Sequence, residues 1–179
     1  MTYTSIDVDF TDKQTHKNIV INDDYGATLA ALSNSGLLIA SRGTDEGAEE
    51  EDLDEFIDED MEMEDEDKKR RRYSHIFFRH ANTWKTAKDW HYRLEKREQV
   101  EGLAVGAGWC VAATDFGYIR VFSNEGIQRT IISHGMPFVT MAGYENFLAL
   151  VYHNGPAVYG CQVLKVKIID MSPTGATSY

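Results

Sequence analysis

Apolar runs of four to seven residues recur along the chain, rich in Val, Ile, Leu, Phe and Ala and bounded by Gly, Asn or Asp. They read ATLAALS, GLLIAS, HIFFRH, EGLAVG, WCVAATD, YIRVFS, RTIIS, PFVTMA, FLALVY and VLKVKII. Short runs of β-branched and aromatic residues between turn formers predict strands. No window of about a dozen residues sustains an apolar period of 3.6, apart from a weak match across 84–98. The expected class is all-β.

The runs also recur in a fixed order. ATLAALS, GLLIASR, SHIFFRH and the WHYRL stretch form one series. LAVG, GWCVAATD, GYIRVFS and RTIIS form a second, across 103–133, and FVTMAG, NFLALVYH and CQVLKVKIID form a third, from 138 to 170. Each series has the size of a four-stranded antiparallel propeller blade, about 40 residues. Ile6, Val8 and Phe10 alternate with Asp7 and Asp9, as expected of a strand that completes a preceding blade. Inner blade strands are covered on both faces and should be continuously apolar, as CVAA and FLALVY are; outer strands should alternate. Ile119 and Val121 with Arg120 between them, and the run from Val163 to Ile168, fit the alternating type. A hairpin turn is expected at Thr114-Asp115-Phe116-Gly117. Three blades do not close a ring, since propellers take roughly four to eight. The expected architecture is a partial β-propeller of about three blades, over residues 1–44 and 73–170, with 171–179 as a C-terminal tail. Open terminal blades expose apolar faces and strand edges, which favours assembly.

Charge changes this picture in one place. Residues 45–67 hold sixteen Asp or Glu and no basic residue, and Lys68, Lys69, Arg70, Arg71 and Arg72 follow directly. The rest of the chain carries thirteen acidic and thirteen basic residues, so this stretch accounts for the whole net charge of −11. A segment with so little apolar surface and so much like charge cannot offset its ordering entropy. Residues 45–72 are therefore expected to be a disordered acidic and basic insertion. A Ca²⁺ loop would need Gly at its sixth position and would not place Phe56 and Ile57 among the ligands. Leu53, Phe56 and Ile57 have the spacing of a short amphipathic peptide, against the simpler reading of a solvated run. The basic pentad reads as a nuclear-import signal, a phosphate patch or a counter-charge to the acidic run.

Candidate chemistry is sparse. The sequence contains no G-x-S-x-G elbow, P-loop or G-x-G-x-x-G fingerprint, so no catalytic or cofactor-binding residue is assigned. His75 and His80 are five apart in a strand run, which sends them to opposite faces, and His91, His134 and His153 are isolated; no metal ligand is assigned. Trp109 opens an apolar run and reads as packing. Trp84 and Trp90, beside Lys85, Lys88 and Arg93, read as part of an outer strand and its link, with nucleobase stacking as the sharper alternative. Cys110 and Cys161 read as reduced residues inside strands, as in cytosol or nucleus. The N-terminus has no signal-peptide pattern, and no apolar stretch approaches the roughly 18 residues of a membrane span.

GWCVAATDFGYIRVFSNEGIQ and GMPFVTMAGYENFLALVYHNG, with IDVDFTDKQTH and TLAALSNSGLLIASRGTDE upstream, resemble the central SepB-type propeller of the replisome adaptor family. Its members are called chromosome transmission fidelity protein 4, acidic nucleoplasmic DNA-binding protein, or WD-repeat and HMG-box DNA-binding protein. The resemblance covers about residues 5–44 and 74–160. It implies a six-bladed propeller that assembles as a homotrimer when full length. It also implies a non-enzymatic nuclear scaffold that tethers the replicative helicase, through GINS, to DNA polymerase alpha, in association with chromatin. No small-molecule substrate, cofactor or membrane is implied. Gly108, Trp109, Arg120 and Phe122 match the family pattern as blade-forming positions. No stretch reads as the family's helical extension, which carries important client-peptide docking sites, so no partner-binding residue is assigned. A second function remains open beside this one: a nuclear histone- or chromatin-binding module acting through the acidic run at 45–67. An enzymatic reading would need a convergent polar cluster in the central channel.

Overall fold

The computed structural model describes residues 4–13, 18–43, 73–81, 88–135 and 137–172. Among these described residues, thirteen strands form four antiparallel sheets. A two-stranded sheet pairs β1 (Ser5–Val8) with β2 (Ile19–Asn22). The next is a meander of β3 (Leu29–Leu32), β4 (Gly36–Ser41), β5 (His75–His80) and β6 (Trp90–Arg93). A second meander contains β7 (Val100–Val105), β8 (Trp109–Thr114), β9 (Tyr118–Ser123) and β10 (Gln128–Ser133). The last sheet has β11 (Phe138–Tyr144), β12 (Phe147–His153) and β13 (Leu164–Asp170).

Strand periodicity dictates how these sheets stack. Successive side chains point to opposite faces, and in β8 both faces are buried. Cys110 and Ala112 join Leu38, Ile76, Phe78 and Phe122 in one core, while Trp109, Val111 and Ala113 join Ile119, Leu148, Leu150 and Ile169 in another. In β4, Leu38 and Ala40 enter the first of these cores, and Leu37 and Ile39 pack with Ile19 and Ile21 of β2 in a third. Each four-stranded sheet is thus a wedge between two cores. The first strands lie together, β7 packing beside both β3 and β11. This is a partial β-propeller, with β3–β6 as blade one and β7–β10 as blade two.

Polar groups fix the blades to one another. The Trp90 indole of β6 donates to the Asn124 carbonyl in the β9–β10 turn at 2.7 Å, and the Trp109 indole of β8 donates to the Glu145 carbonyl in the β11–β12 turn at 2.8 Å. Each tryptophan therefore anchors a turn of the following sheet. Trp90 also stacks on Phe78 and lies against Phe122, at centroid distances of 5.7 and 5.4 Å, which continues the aromatic packing from blade one into blade two. The fit depends on glycine: a Cβ on Gly126, whose φ is +88°, would lie 2.7 Å from the Trp90 ring, and one on Gly143 would lie 2.6 Å from the Val105 carbonyl.

Several sequence expectations take a different form here. Residues 19–22, not anticipated as a strand, pair with β1 and present Ile19 and Ile21 to blade one. β9 does not alternate between buried and exposed; it is covered on both faces, and Arg120 is buried. Glu98, in the β6–β7 link, makes this possible by receiving the guanidinium bidentately, Nε to Oε1 at 2.8 Å and Nη2 to Oε2 at 2.5 Å; Gln128 accepts from Nη1 at 3.1 Å. The hydrogen bond to Glu98 outweighs desolvation and holds the Arg120 pKa above its ordinary value. Over 84–98, the described residues 90–93 are strand rather than helix. Cys161 lies outside the strands, exposed at the bridge Val158–Cys161. The insertion at 45–72, Trp84 and Lys85 lie outside the described residues, as does all of the 171–179 tail beyond Ser172.

Removing one member of a buried ion pair strands the other charge in a low-dielectric site, at a cost of about 3–5 kcal/mol. Glu98→Ala is accordingly expected to cost about that much in equilibrium urea unfolding, whereas removing the exposed Asp89 partner of Arg79 costs at most about 1 kcal/mol. Equal losses for the two variants would refute the buried pair as a blade lock.

Candidate interaction surface

The sheet β11–β13 differs from the two blades in having only one covered face. Leu148, Leu150 and Ile169 point into the core shared with blade two. The alternate residues form cross-strand rows on the other side: Tyr144 opposite Phe147, Ala142 opposite Ala149 opposite Ile168, and Thr140 opposite Val151 opposite Val166. Tyr144 is 73% exposed, Val166 57% and Phe147 49%. His153 pairs with Leu164 at one end of this face and Asp170 with Phe147 at the other, so its centre carries no charge. Beside it, a turn of residues 158–161 is closed by Val158 and Cys161 hydrogen bonds of 3.0 and 2.9 Å, and its tip carries the fully exposed Tyr159. A contiguous apolar face of this kind, with charge confined to its margins, is suited to packing against another protein surface.

The opposite end is built differently. The outward side of the β1–β2 sheet presents Ser5, Asp7, Val20 and Asn22, mostly polar and all exposed.

The described residues bring no catalytic constellation together. His75 stacks on Tyr25 at 4.4 Å and His80 packs edge-on against Phe78 at 5.0 Å, so β5 does send them to opposite faces. Among the described residues no group of three or more His, Cys, Asp or Glu side chains has the geometry to hold a metal ion. Burial pushes the Cys110 thiol up to about 12, which keeps it a protonated packing group at neutral pH. The half-buried Trp90 packs its ring against Phe78 and Phe122 and gives its N–H to Asn124, so it acts as a packing residue between the blades. The alternation in VLKVKII is the sequence signal for the apolar face: it marks a strand, but which side stays uncovered depends on which sheet packs against it.

The sequence profile of the family described as "Minichromosome loss protein, Mcl1, middle region" matches residues 1–178. The chain belongs to the Mcl1 middle-region family. Within its relatives, human "WD repeat and HMG-box DNA-binding protein 1" is 29% identical over 93% of this chain and 13% of its own length. "Minichromosome loss protein 1" of Schizosaccharomyces pombe is 23% identical over 95% of this chain and 18% of its own length. This Mcl1 middle-region chain thus spans less than a fifth of each of these relatives. Among solved structures, the crystal structure of HIRA(644–1017) superposes with a TM-score of 0.49 and 12% identity, over 81% of this chain and 34% of that one.

If the outward β12–β13 face is adhesive, charging it should make it less so. Burial of a Val or Ile side chain contributes about 1.5–3 kcal/mol, so Val166→Lys with Ile168→Glu is expected to weaken self-association of the 179-residue chain by at least about tenfold in sedimentation velocity. A chain that already sediments as a cooperatively melting monomer of 20.3 kDa would contradict the adhesive face.

Proposed function

We propose that this chain is part of a non-enzymatic propeller scaffold of DNA replication and chromosome maintenance, one that joins the replicative helicase, through GINS, to DNA polymerase alpha. The single observation that carries this reading is the family match over residues 1–178. The structure supports it in physical terms: side chains that could carry chemistry are spent on packing, as with Trp90, Arg120 and His80, and the exposed apolar face of β11–β13 is suited to protein contact. A scaffold of this sort acts through effective concentration, holding one enzyme near another without tight individual contacts. Further parts of the proposal are a nuclear location, a homotrimer of the full-length protein, association with chromatin, and import through Lys68, Lys69, Arg70, Arg71 and Arg72. The propeller boundaries at 1–44 and 73–170 belong to the same proposal.

One observation favours a second role beside it. The strands that flank residues 44–72 are fastened to each other without that segment: Ser74 Oγ accepts from Gly43 N at 3.2 Å and donates to Gln99 Oε1 at 3.0 Å, and Gln99 Oε1 also accepts from Gly43 N at 2.7 Å. An acidic run joined to so firm a base suits engagement of basic histone segments through charge.

Affinity capture of the tagged full-length protein from replicating cells is expected to enrich GINS and DNA polymerase alpha subunits. Enrichment of neither would refute the scaffold. A variant lacking residues 45–72 is expected to keep both while losing histone binding; unchanged histone binding would dismiss the second role.

A further inference from the structure

A cavity of about 180 Å³ opens between blade one and the loop that follows β2. Its aliphatic walls are Ile21 and Ile39, its aromatic walls Tyr25, Phe77 and His75, and the carboxylates among its described lining residues are Asp23 and Asp24. Among the described residues no Lys or Arg lines it.

The cavity is held in shape by its own loop. The Asp23 carboxylate accepts from Ala27 N at 3.0 and 2.8 Å and from Tyr25 N at 3.3 Å, and Asp23 N donates to Thr4 O at 2.8 Å. Tyr25 in turn stacks on His75 with an interplanar angle of 26°. The walls therefore do not need a ligand in order to form, and binding would not have to meet an ordering cost there.

We propose that this cavity receives a single lysine side chain from a partner protein. A lysine combines a long alkyl stem with a terminal point charge. The stem matches Ile21, Ile39 and the ring of Phe77, and the ammonium meets the carboxylates of Asp23 and Asp24, the charged groups among the described lining residues. Arginine suits the cavity less well. Its fork is strongest against a carboxylate with both oxygens open, and those of Asp23 already accept backbone N–H groups. What Asp23 retains is its charge, which acts on an ammonium without requiring bidentate geometry. Asp24 is exposed and adds to the same potential. This site stands apart from the apolar face of β11–β13 and does not depend on the scaffold proposal.

The test is a methyl NMR titration of the 179-residue chain, labelled at isoleucine, a readout that tolerates large assemblies. The probes are Nα-acetyl-lysine methylamide and its uncharged analogue Nα-acetyl-norleucine methylamide. Saturable shifts are expected at Ile21 and Ile39, with lysine bound roughly fivefold more tightly than norleucine and the difference shrinking as salt is raised. Asp24→Asn, a surface change, is expected to weaken lysine binding and leave norleucine binding unchanged. Absence of saturable shifts at these two residues, equal binding of the two probes, or an undiminished lysine preference in Asp24→Asn would each overturn the proposal.

Discussion

The structure depends on burial of both faces of the central blade strands. In a half-buried sheet an apolar strand alternates with polar residues, but Trp109 to Ala113 has no polar position because each of its faces belongs to a different core. This couples neighbouring sheets more tightly than connection alone would. Blade two cannot bury β8 unless blade one supplies Phe78 and Leu38 on one side and the last sheet supplies Leu148 and Leu150 on the other. Stability in such an arrangement is a sum over interfaces, and no sheet is a folding unit by itself.

Apolar packing is non-directional, so it does not fix the relative register of the wedges. The hydrogen bonds between sheets do. Trp90 and Trp109 each place a large apolar body in one interface and spend a single N–H on a turn carbonyl of the next sheet, where a shift of an ångström would lose the bond. Glu98 and Arg120 act in the same way on the link between blades one and two. Two desolvated charges contribute little net stability, yet they penalise any arrangement that separates them. Geometry is specified by the groups that are costly to misplace.

The order of strands, the turn at 114–117 and the continuously buried β8 were legible in the sequence because they rest on local pattern: run length, turn residues and period. What was not legible depended on tertiary partners. Ile19-Val-Ile-Asn22 is too short a run to announce itself, and it becomes a strand because Ile6 and Val8 pair with it and blade one covers it. Arg120 resembles a solvent-facing position of an alternating strand until Glu98, 22 residues earlier in the chain, is brought against it. Trp90 could have been a platform or a packing residue; Phe122 and Asn124, distant in sequence, decide the matter. The lysine-sized cavity had no sequence signature, since Asp23 and Phe77 meet only through the fold.

The two ends of the stack are chemically unlike, and this constrains how it can be extended. A polar outward face on β1–β2 gains little by meeting the apolar face of β11–β13, because Asp7 and Asn22 would lose water without gaining partners there. Head-to-tail addition of identical stacks, which would generate open fibres, is therefore disfavoured by the desolvation of one end alone. The apolar face is better matched by a surface like itself, either its own copy across a twofold axis or another sheet with the same alternation. Whichever covers it must bring an uncharged row opposite Ala149 and Val151, the same requirement that β8 satisfies between its two cores.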